Sequence, residues 1–330
     1  MKIAIISDEL TQSSLIYEDN IELYDITPQN YKQVLYSNSI DFLFVESAWH
    51  GYKNSWKFKI ASYENKIFRS NYRLKKVVKY AKSLEIPTVF WNKEDSVHFD
   101  RFIASAKLFD HIFTVDENCI SKYREVVDDI VTVNTLMFAV QSKIHNFTAF
   151  NFKYTSVNFV GSYSHHVHDK RRVWQDMMFA SASESGLGLT IFDRNSNRKS
   201  QNYRYQKLSN MKILPAVPYE KTAQIYKDYT LSLNVNTIED SPTMFSRRLI
   251  EILACGGIAV TNPSLSADTM FKEYCHVVSN EEEMKELFYR IDKYGPSEKD
   301  KEGARAGAEY VAKYHTWTHR LEEIRKVIEV

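Results

Sequence analysis

The residues best suited to chemistry are Arg247, Arg248 and Glu251, within Ser241–Pro263, SPTMFSRRLIEILACGGIAVTNP. This stretch reads as a polar loop, a short helix, a Cys-Gly-Gly stop and a buried strand. Residues three and four apart share one helical face, so the three side chains can act together. Guanidinium groups suit a diphosphate because they are planar, permanently charged and bidentate. A carboxylate one turn further on suits the two hydroxyls of a ribose. The plain alternative is an intrahelical ion pair, worth about 0.3–0.5 kcal/mol when exposed. Against it, the helix ends in small residues and two glycines and runs straight into an apolar strand, which lodges its polar face beside a core.

A second candidate is the loop GSYSHHVHDKRR, Gly161–Arg172. Gly161 permits close backbone approach, and Lys170, Arg171 and Arg172 fall near a helix start, where the dipole favours an anion. A glycine turn before a solvated basic helix would look the same. The loop matches neither the G-x-G-x-x-G nor the Walker pattern. His165, His166 and His168 lack a fourth ligand and zinc spacing, and the chain has no Asp-x-Asp, so no metal is expected. A third group, Glu94, Asp95 and His98, follows the strand-like PTVFWNK. Glu94 or His98 could serve as a general base, with Glu46 and His50 competing for the role. Equally, Asp95 or Ser96 could simply cap a helix running through Ile103.

These groups need elements to hold them. Apolar runs at Lys2–Ser7, Ile21–Ile26, Asp41–Glu46, Pro87–Asn92, His111–Val115 and Ile130–Leu136 alternate with helical patterns. The clearest helix is Arg73–Leu84, with Leu74, Val77, Val78, Ala81 and Leu84 on one face and lysines opposite. Phe138–Tyr154 lacks periodicity and reads as a linker. Alternation then resumes with strands near Ser156–Gly161, Leu187–Phe192, Lys212–Val217, Thr230–Val235, Ile258–Asn262 and His276–Ser279, and three helices close the chain. Such alternation implies parallel sheets. In open α/β sheets ligands bind beyond the carboxyl ends of the strands, where all three candidate groups fall. The order of the strands is not readable from the sequence.

Composition narrows the class. At 330 residues, with 44% hydrophobic and 26% charged, the chain suits about two folded domains and is neither disordered nor fibrous. No apolar run approaches the roughly 18 residues of a spanning helix. MKIAIISDEL reads as a strand, not a signal peptide, and three scattered cysteines make no disulfide framework, so a cytoplasmic protein is expected. The net charge is +1, yet Gly51–Lys82 holds ten basic residues and one acid, Glu64: +9 there and −8 elsewhere. Interleaved Tyr52, Trp56, Phe58, Tyr63, Phe68 and Tyr72 make this a membrane-facing or polyanion-facing surface, or else a solvated lysine-rich face. Without a recognition motif, nucleic acid is not expected as a partner.

GSYSHHVHDKRR, LPAVPYEKTAQIYKDYTLSLNVN, FSRRLIEILACGGIAVTN and YHTWTHRLEEI resemble the second domain of CgeB-like (spore maturation type) GT-B glycosyltransferases. FVESAWHG, FWNKEDSVHFDRF and FDHIFTVDENCISKYREV resemble the first. The resemblance implies two Rossmann-like domains facing across a cleft: an acceptor domain over 1–140, a linker over 141–155, a donor domain over 156–315 and a closing helix over 316–330. It also implies a nucleotide-sugar donor, UDP-linked, and a glycan or lipid-linked acceptor at the inner face of the membrane, with no cofactor. Arg248 would contact the diphosphate and Glu251 the ribose. Gly161 and Ser162 would lie under the phosphates, and Val217, Pro218 and Tyr219 near the base. Tyr163, Arg172 and Thr243 belong to the same expected site. Many retaining members carry Glu-x7-Glu ending at the position of Glu251; here Thr243 stands at the first place, which leaves retention or inversion open. A catalytically silent glycan-binding module and a sugar-nucleotide epimerase are the competing readings.

Overall fold

In the computed structural model, which describes residues 1–63, 66 and 68–328, each expected apolar run forms a strand. The first unit comprises Met1–Gln141, Pro242–Met244 and the C-terminal helix. Its strands are β1 (Lys2–Ile6), β2 (Glu22–Asp25), β3 (Phe42–Glu46), β4 (Thr88–Asn92), β5 (His111–Thr114) and β6 (Thr132–Thr135). They pair in parallel in the order β2-β1-β3-β4-β5-β6. Helices α1 (Glu9–Leu15), α2 (Tyr31–Ser37), α3 (Tyr72–Ser83), α4 (Phe99–Ala106) and α5 (Ile120–Arg124) connect them. Every residue of β3 and β4 is buried, as strands covered on both faces require. Helix α3 turns Leu74, Val77, Val78 and Ala81 inward and leaves its basic side chains outside.

The second unit comprises Ser142–Ser241 and Phe245–Thr316. Its strands are β7 (Tyr154–Gly161), β8 (Leu189–Asp193), β9 (Met211–Pro215), β10 (Tyr229–Asn234), β11 (Ile258–Thr261) and β12 (His276–Val277). They are again parallel, in the order β12-β11-β10-β7-β8-β9. The helices are α6 (Asp169–Glu184), α7 (Tyr219–Asp228), α8 (Arg247–Ala254), α9 (Glu281–Tyr294) and α10 (Glu298–Tyr314); α11 (Trp317–Ile328) belongs to the first unit. There Trp317 packs edge-on against Trp91 at 5.4 Å, and the buried Arg320 donates from Nε to the Met137 carbonyl at 2.8 Å.

The stretch expected to be a free linker is packed on either side of residue 141. Phe138, Ala139 and Val140 are buried, and Gln141 donates to the Ser14 carbonyl at 2.9 Å in the first unit. Phe147 stacks on Phe150 and Phe150 on Phe152 in the second. Its aromatic residues give it apolar area to bury without any regular period.

Strand order places a topological switch between β1 and β3 in one unit and between β7 and β10 in the other. Each chain runs outward from a central strand, returns, and runs the other way. This is where an open α/β sheet leaves a crevice for ligand.

In the second unit, α10 starts with a capping box between Ser297 and Asp300. Asp300 also accepts from Arg290 at 2.7 and 2.9 Å and lies 3.0 Å from His276 Nε2. Burial alone would raise its pKa, but the bonds from His276, Arg290 and Ser297 hold it well below the carboxylate range. A depressed pKa stabilises the fold above the unfolded value and is lost as pH falls through the folded one. Asp300→Ala should therefore cost about 2–4 kcal/mol at pH 7 in urea unfolding. The difference from the parent chain should shrink only in acid, below about pH 4.

Candidate active site

Arg248 anchors the β7–β10 switch point. Its Nε donates to the Val160 carbonyl at 2.6 Å, and its guanidinium lies over the Phe159 ring at 4.4 Å. A Cβ on Gly161 would stand 2.7 Å from Arg248 Nη2 and 2.6 Å from the Phe159 ring. The glycine is thus demanded by the arginine beside it as much as by any ligand.

Three more arginines gather here. Arg171, at the start of α6, donates to the Ser162 carbonyl at 2.9 Å, and Gln175 donates to the same oxygen at 3.1 Å. Burial, then repulsion from Arg248 and Arg194, pushes the Arg171 guanidinium down to about 10. Arg194, just past β8, is lowered by its surroundings and then by Arg247 and Arg248, although it keeps surface open to solvent. Burial likewise lowers Arg248. Arg247 lies 2.9 Å from Glu251 Oε1, without the alignment of a true hydrogen bond. Four guanidinium groups are therefore gathered, with Glu251 beside Arg247 and the buried Asp193 next to Arg194 as nearby carboxylates. Such a set is suited to an anion of more than one charge.

An asparagine network holds the start of α8. Asn236 Oδ1 accepts the Ser246 N–H at 2.9 Å, and Asn236 N–H donates to Asn262 Oδ1 at 2.7 Å. Asn234 donates to Asn236 Oδ1 at 3.1 Å. These buried side chains occupy the ends of β10 and β11 and cap the helix without a capping side chain at Ser246 itself.

The remaining expected residues divide. Tyr219 opens α7 with its ring 5.8 Å from the Arg247 guanidinium, and Pro218 precedes it as the helix cap. Val217 packs on the cluster of Phe192, Ile225 and Tyr229. Tyr163 is buried and donates to Asp176 at 2.6 Å. Arg172 is turned to its own loop: it bonds the His165 carbonyl at 2.9 Å and pairs with Asp169 at 2.8 Å. Its neighbour Arg171 joins the arginine set, and the position of Arg194 beyond a strand end was the sequence signal for the other. Thr243 is not part of the second unit. It belongs to the first, where its hydroxyl donates to the Val115 carbonyl at 3.0 Å and accepts from the Glu117 N–H at 2.9 Å. His165 and His166 are bonded to Arg204 O and Ser164 Oγ. Among the described residues no three His, Cys, Asp or Glu side chains are grouped to hold a metal ion.

At the switch point of the first unit one ammonium group, Lys93, lies between two carboxylates, Asp8 and Glu46. Asp8 accepts the backbone N–H groups of Trp49, His50 and Gly51 at 2.8–3.1 Å, and burial is outweighed there by Lys93 and those amides. Glu46, wholly buried, accepts from Thr11, Lys93 and the Asp8 N–H. So Glu46 is a latch, fully occupied by its donors. His98 faces Trp49 edge-on at 5.1 Å; burial lowers its pKa and nearby Glu94 opposes that shift. Asp95 caps nothing. It is buried among Asn92, Thr114 and Tyr123, and burial raises its pKa to about 7. Helix α4 begins later, at Phe99, with His98 at its cap position.

Residues 145–326 match the family model described as glycosyl transferase-like, which spans more than half of the chain, and the chain belongs to that family. No curated protein matches it. Among solved structures, an alpha-glucosyltransferase in complex with UDP and a 13-mer DNA aligns over 100% of both chains at 13% identity and a TM-score of 0.69. Anabaena Alr3699/HepE in complex with UDP and glucose aligns over 100% of this chain and 99% of that one, at 10% identity and TM-score 0.60. Sucrose-phosphate synthase from Thermosynechococcus elongatus gives 10% identity and TM-score 0.60 over 100% and 98%. The two-domain GT-B fold is therefore established. The expectation that excluded nucleic acid as a partner does not stand, because this fold is shared at full length with glucosyltransferases solved on DNA. Among the described residues no helix is long and apolar enough to cross a membrane.

The contact between Gly161 and Arg248 can be tested directly. Gly161→Ala should cost about 1–3 kcal/mol by overpacking. The Gly161→Ala/Arg248→Ala double variant should be more stable than the sum of the single effects, because the arginine no longer meets the added methyl. Additive losses in urea unfolding would mean the two positions are not in contact.

Proposed function

We propose that this glycosyltransferase moves a sugar from a nucleoside-diphosphate donor, UDP-linked, held by the second unit, to an acceptor hydroxyl held by the first. The observation that carries the reading is the arginine surplus at the β7–β10 switch point: four guanidinium groups against two nearby carboxylates, Glu251 and Asp193. Arg248 and Arg171 take the diphosphate, with the Gly161–Ser162 backbone beneath it. Glu251 takes the ribose, and Val217, Pro218 and Tyr219 take the base. Similarly folded Anabaena Alr3699/HepE is solved with UDP and with UDP-glucose, and the motifs quoted above resemble those of the CgeB-like branch.

In the reaction, the acceptor oxygen bonds to the anomeric carbon and the bond from that carbon to the diphosphate breaks. Negative charge grows on the leaving diphosphate, and fixed arginines offset it without having to reorganise. That task is the one a divalent ion performs elsewhere, so the reaction proceeds without a metal. Glu94 or His98 accepts the proton of the acceptor hydroxyl.

Two acceptors are considered. A glycan hydroxyl is the first. The second, a nucleic acid, is favoured by the outer surface of 51–82. Arg69 stacks 3.9 Å from the Phe58 ring, Lys76 sits 4.6 Å from Tyr72, Phe68 is fully exposed, and α3 carries Arg73, Lys75, Lys76 and Lys79 outward. Cations interleaved with exposed rings suit a strand of phosphates and bases. The apolar face of α3, which a membrane would need, is spent on the core.

With UDP-glucose as donor, Arg248→Ala and Arg171→Ala should each lower kcat about 10²–10³-fold, and EDTA should change nothing. Unchanged turnover in Arg248→Ala/Glu251→Ala would remove the donor-site assignment. For the acceptor, Lys75→Glu/Lys76→Glu/Lys79→Glu should weaken oligonucleotide binding about tenfold and flatten its salt dependence, read by fluorescence anisotropy. Indifference of the parent chain to DNA and RNA at low salt would leave only the glycan.

A further inference from the structure

His145 has no place in the roles assigned so far. It is 1% exposed, lies ahead of β7, and is set between α7 and α8. Its Nε2 lies 2.9 Å from Thr222 Oγ1, and that hydroxyl donates its only proton to the Tyr219 carbonyl at 2.7 Å. The hydroxyl must then accept from the imidazole, which makes His145 the Nε2–H tautomer and leaves Nδ1 as a bare lone pair. Nδ1 is buried and makes no hydrogen bond. The ring lies 5.0 Å from that of Tyr219 and 6.3 Å from that of Tyr226. Burial chiefly, with Arg247 and Lys227 adding to it and Glu251 opposing, drives its pKa down to about 4, so the imidazole stays neutral and adds no charge to the arginine set.

The donor-site reading above rests on the turn at Val217–Tyr219 being placed correctly against Arg247 and Glu251. His145 touches the α7 side of that relation directly and reaches the α8 side through the Tyr219 ring. Through Thr222 it tethers the Tyr219 carbonyl at the first turn of α7, and its face supports the Tyr219 ring, which in turn lies against the Arg247 guanidinium. A lysine or arginine here would supply the N–H but bring a fifth positive charge. An apolar ring would fill the space but leave the Thr222 hydroxyl without its donor.

We infer that His145 is a positioning residue for the nucleotide, holding the Pro218–Tyr219 turn in register with the Arg247–Glu251 pair. Its contribution falls on donor binding, not on the bond-making step. The inference rests on the nucleotide-donor reading, and the test separates the two.

UDP binding to the full-length chain is measured by isothermal titration, and donor KM and kcat with UDP-glucose, for the parent chain and for His145→Phe, His145→Gln and Thr222→Val. His145→Phe should weaken UDP binding and raise the donor KM about tenfold, with kcat within about twofold. His145→Gln, which restores an N–H at the Nε2 position, should recover most of the loss. Thr222→Val should reproduce the loss, and His145→Phe/Thr222→Val should be no worse than either single variant. If the parent chain binds no UDP, the nucleotide reading falls and the inference with it. If the parent binds UDP and folded His145→Phe or Thr222→Val binds it equally well, or if the two losses simply add, the inference alone is overturned.

Discussion

Like charges gathered at one end of a parallel sheet are the constraint around which the second unit is organised. Arg171, Arg194, Arg247 and Arg248 repel one another, and only the rest of the fold can keep them together. Backbone carbonyls do much of this: Val160 O holds Arg248 and Ser162 O holds Arg171. Gly161 gives up a side chain so that Arg248 and Phe159 can occupy its space. The asparagines at 234, 236 and 262 fix the start of α8, from which two of the four charges project. Like charges gathered in this way leave a positive potential at that end of the sheet.

The first unit is also an open parallel sheet, but its chain turns back after two strands where that of the second turns back after three, and carboxylates stand at its switch point in place of arginines. At its switch point Lys93 sits between Asp8 and Glu46, and three amides close on Asp8. That end of the sheet is rigid and self-sufficient. Nearby, His98 and Glu94 lie half-buried at the entrance to α4. Two parallel α/β sheets thus carry contrasting charge: an arginine cluster at one switch point and a lysine between two carboxylates at the other.

Much of this was legible beforehand. Among the described residues the strands lie where apolar runs bounded by polar turns put them, and for central strands such as β3, β4 and β10 burial between helices leaves little choice of composition. Arg248 and Glu251 were visible as a pair because helical spacing is local. The side chains that misled did so for want of partners. Asp95 and Ser96 look like caps until Thr114 and Tyr123, distant in sequence, close on Asp95. Arg171 and Arg172 are adjacent and chemically alike, and only helical rotation decides that Arg171 meets the set while Arg172 turns back on its own loop. Phe147, Phe150 and Phe152 have no period, so their packing could not be read from spacing.

By itself the sequence determined the α/β class, the parallel alternation, the two-fold repetition of that plan and the chemical character of Arg248 and Glu251. These follow from composition and spacing over a few residues. Tertiary structure alone decided the strand orders, and with them the switch points that bring residues 161, 171, 194 and 247–251 to one place. It also decided that Thr243 bonds to the end of β5 and that the imidazole of His145 is neutral with a fixed tautomer. Those outcomes depend on which distant groups meet, and pairing between strands and burial between helices carry no signature in local sequence.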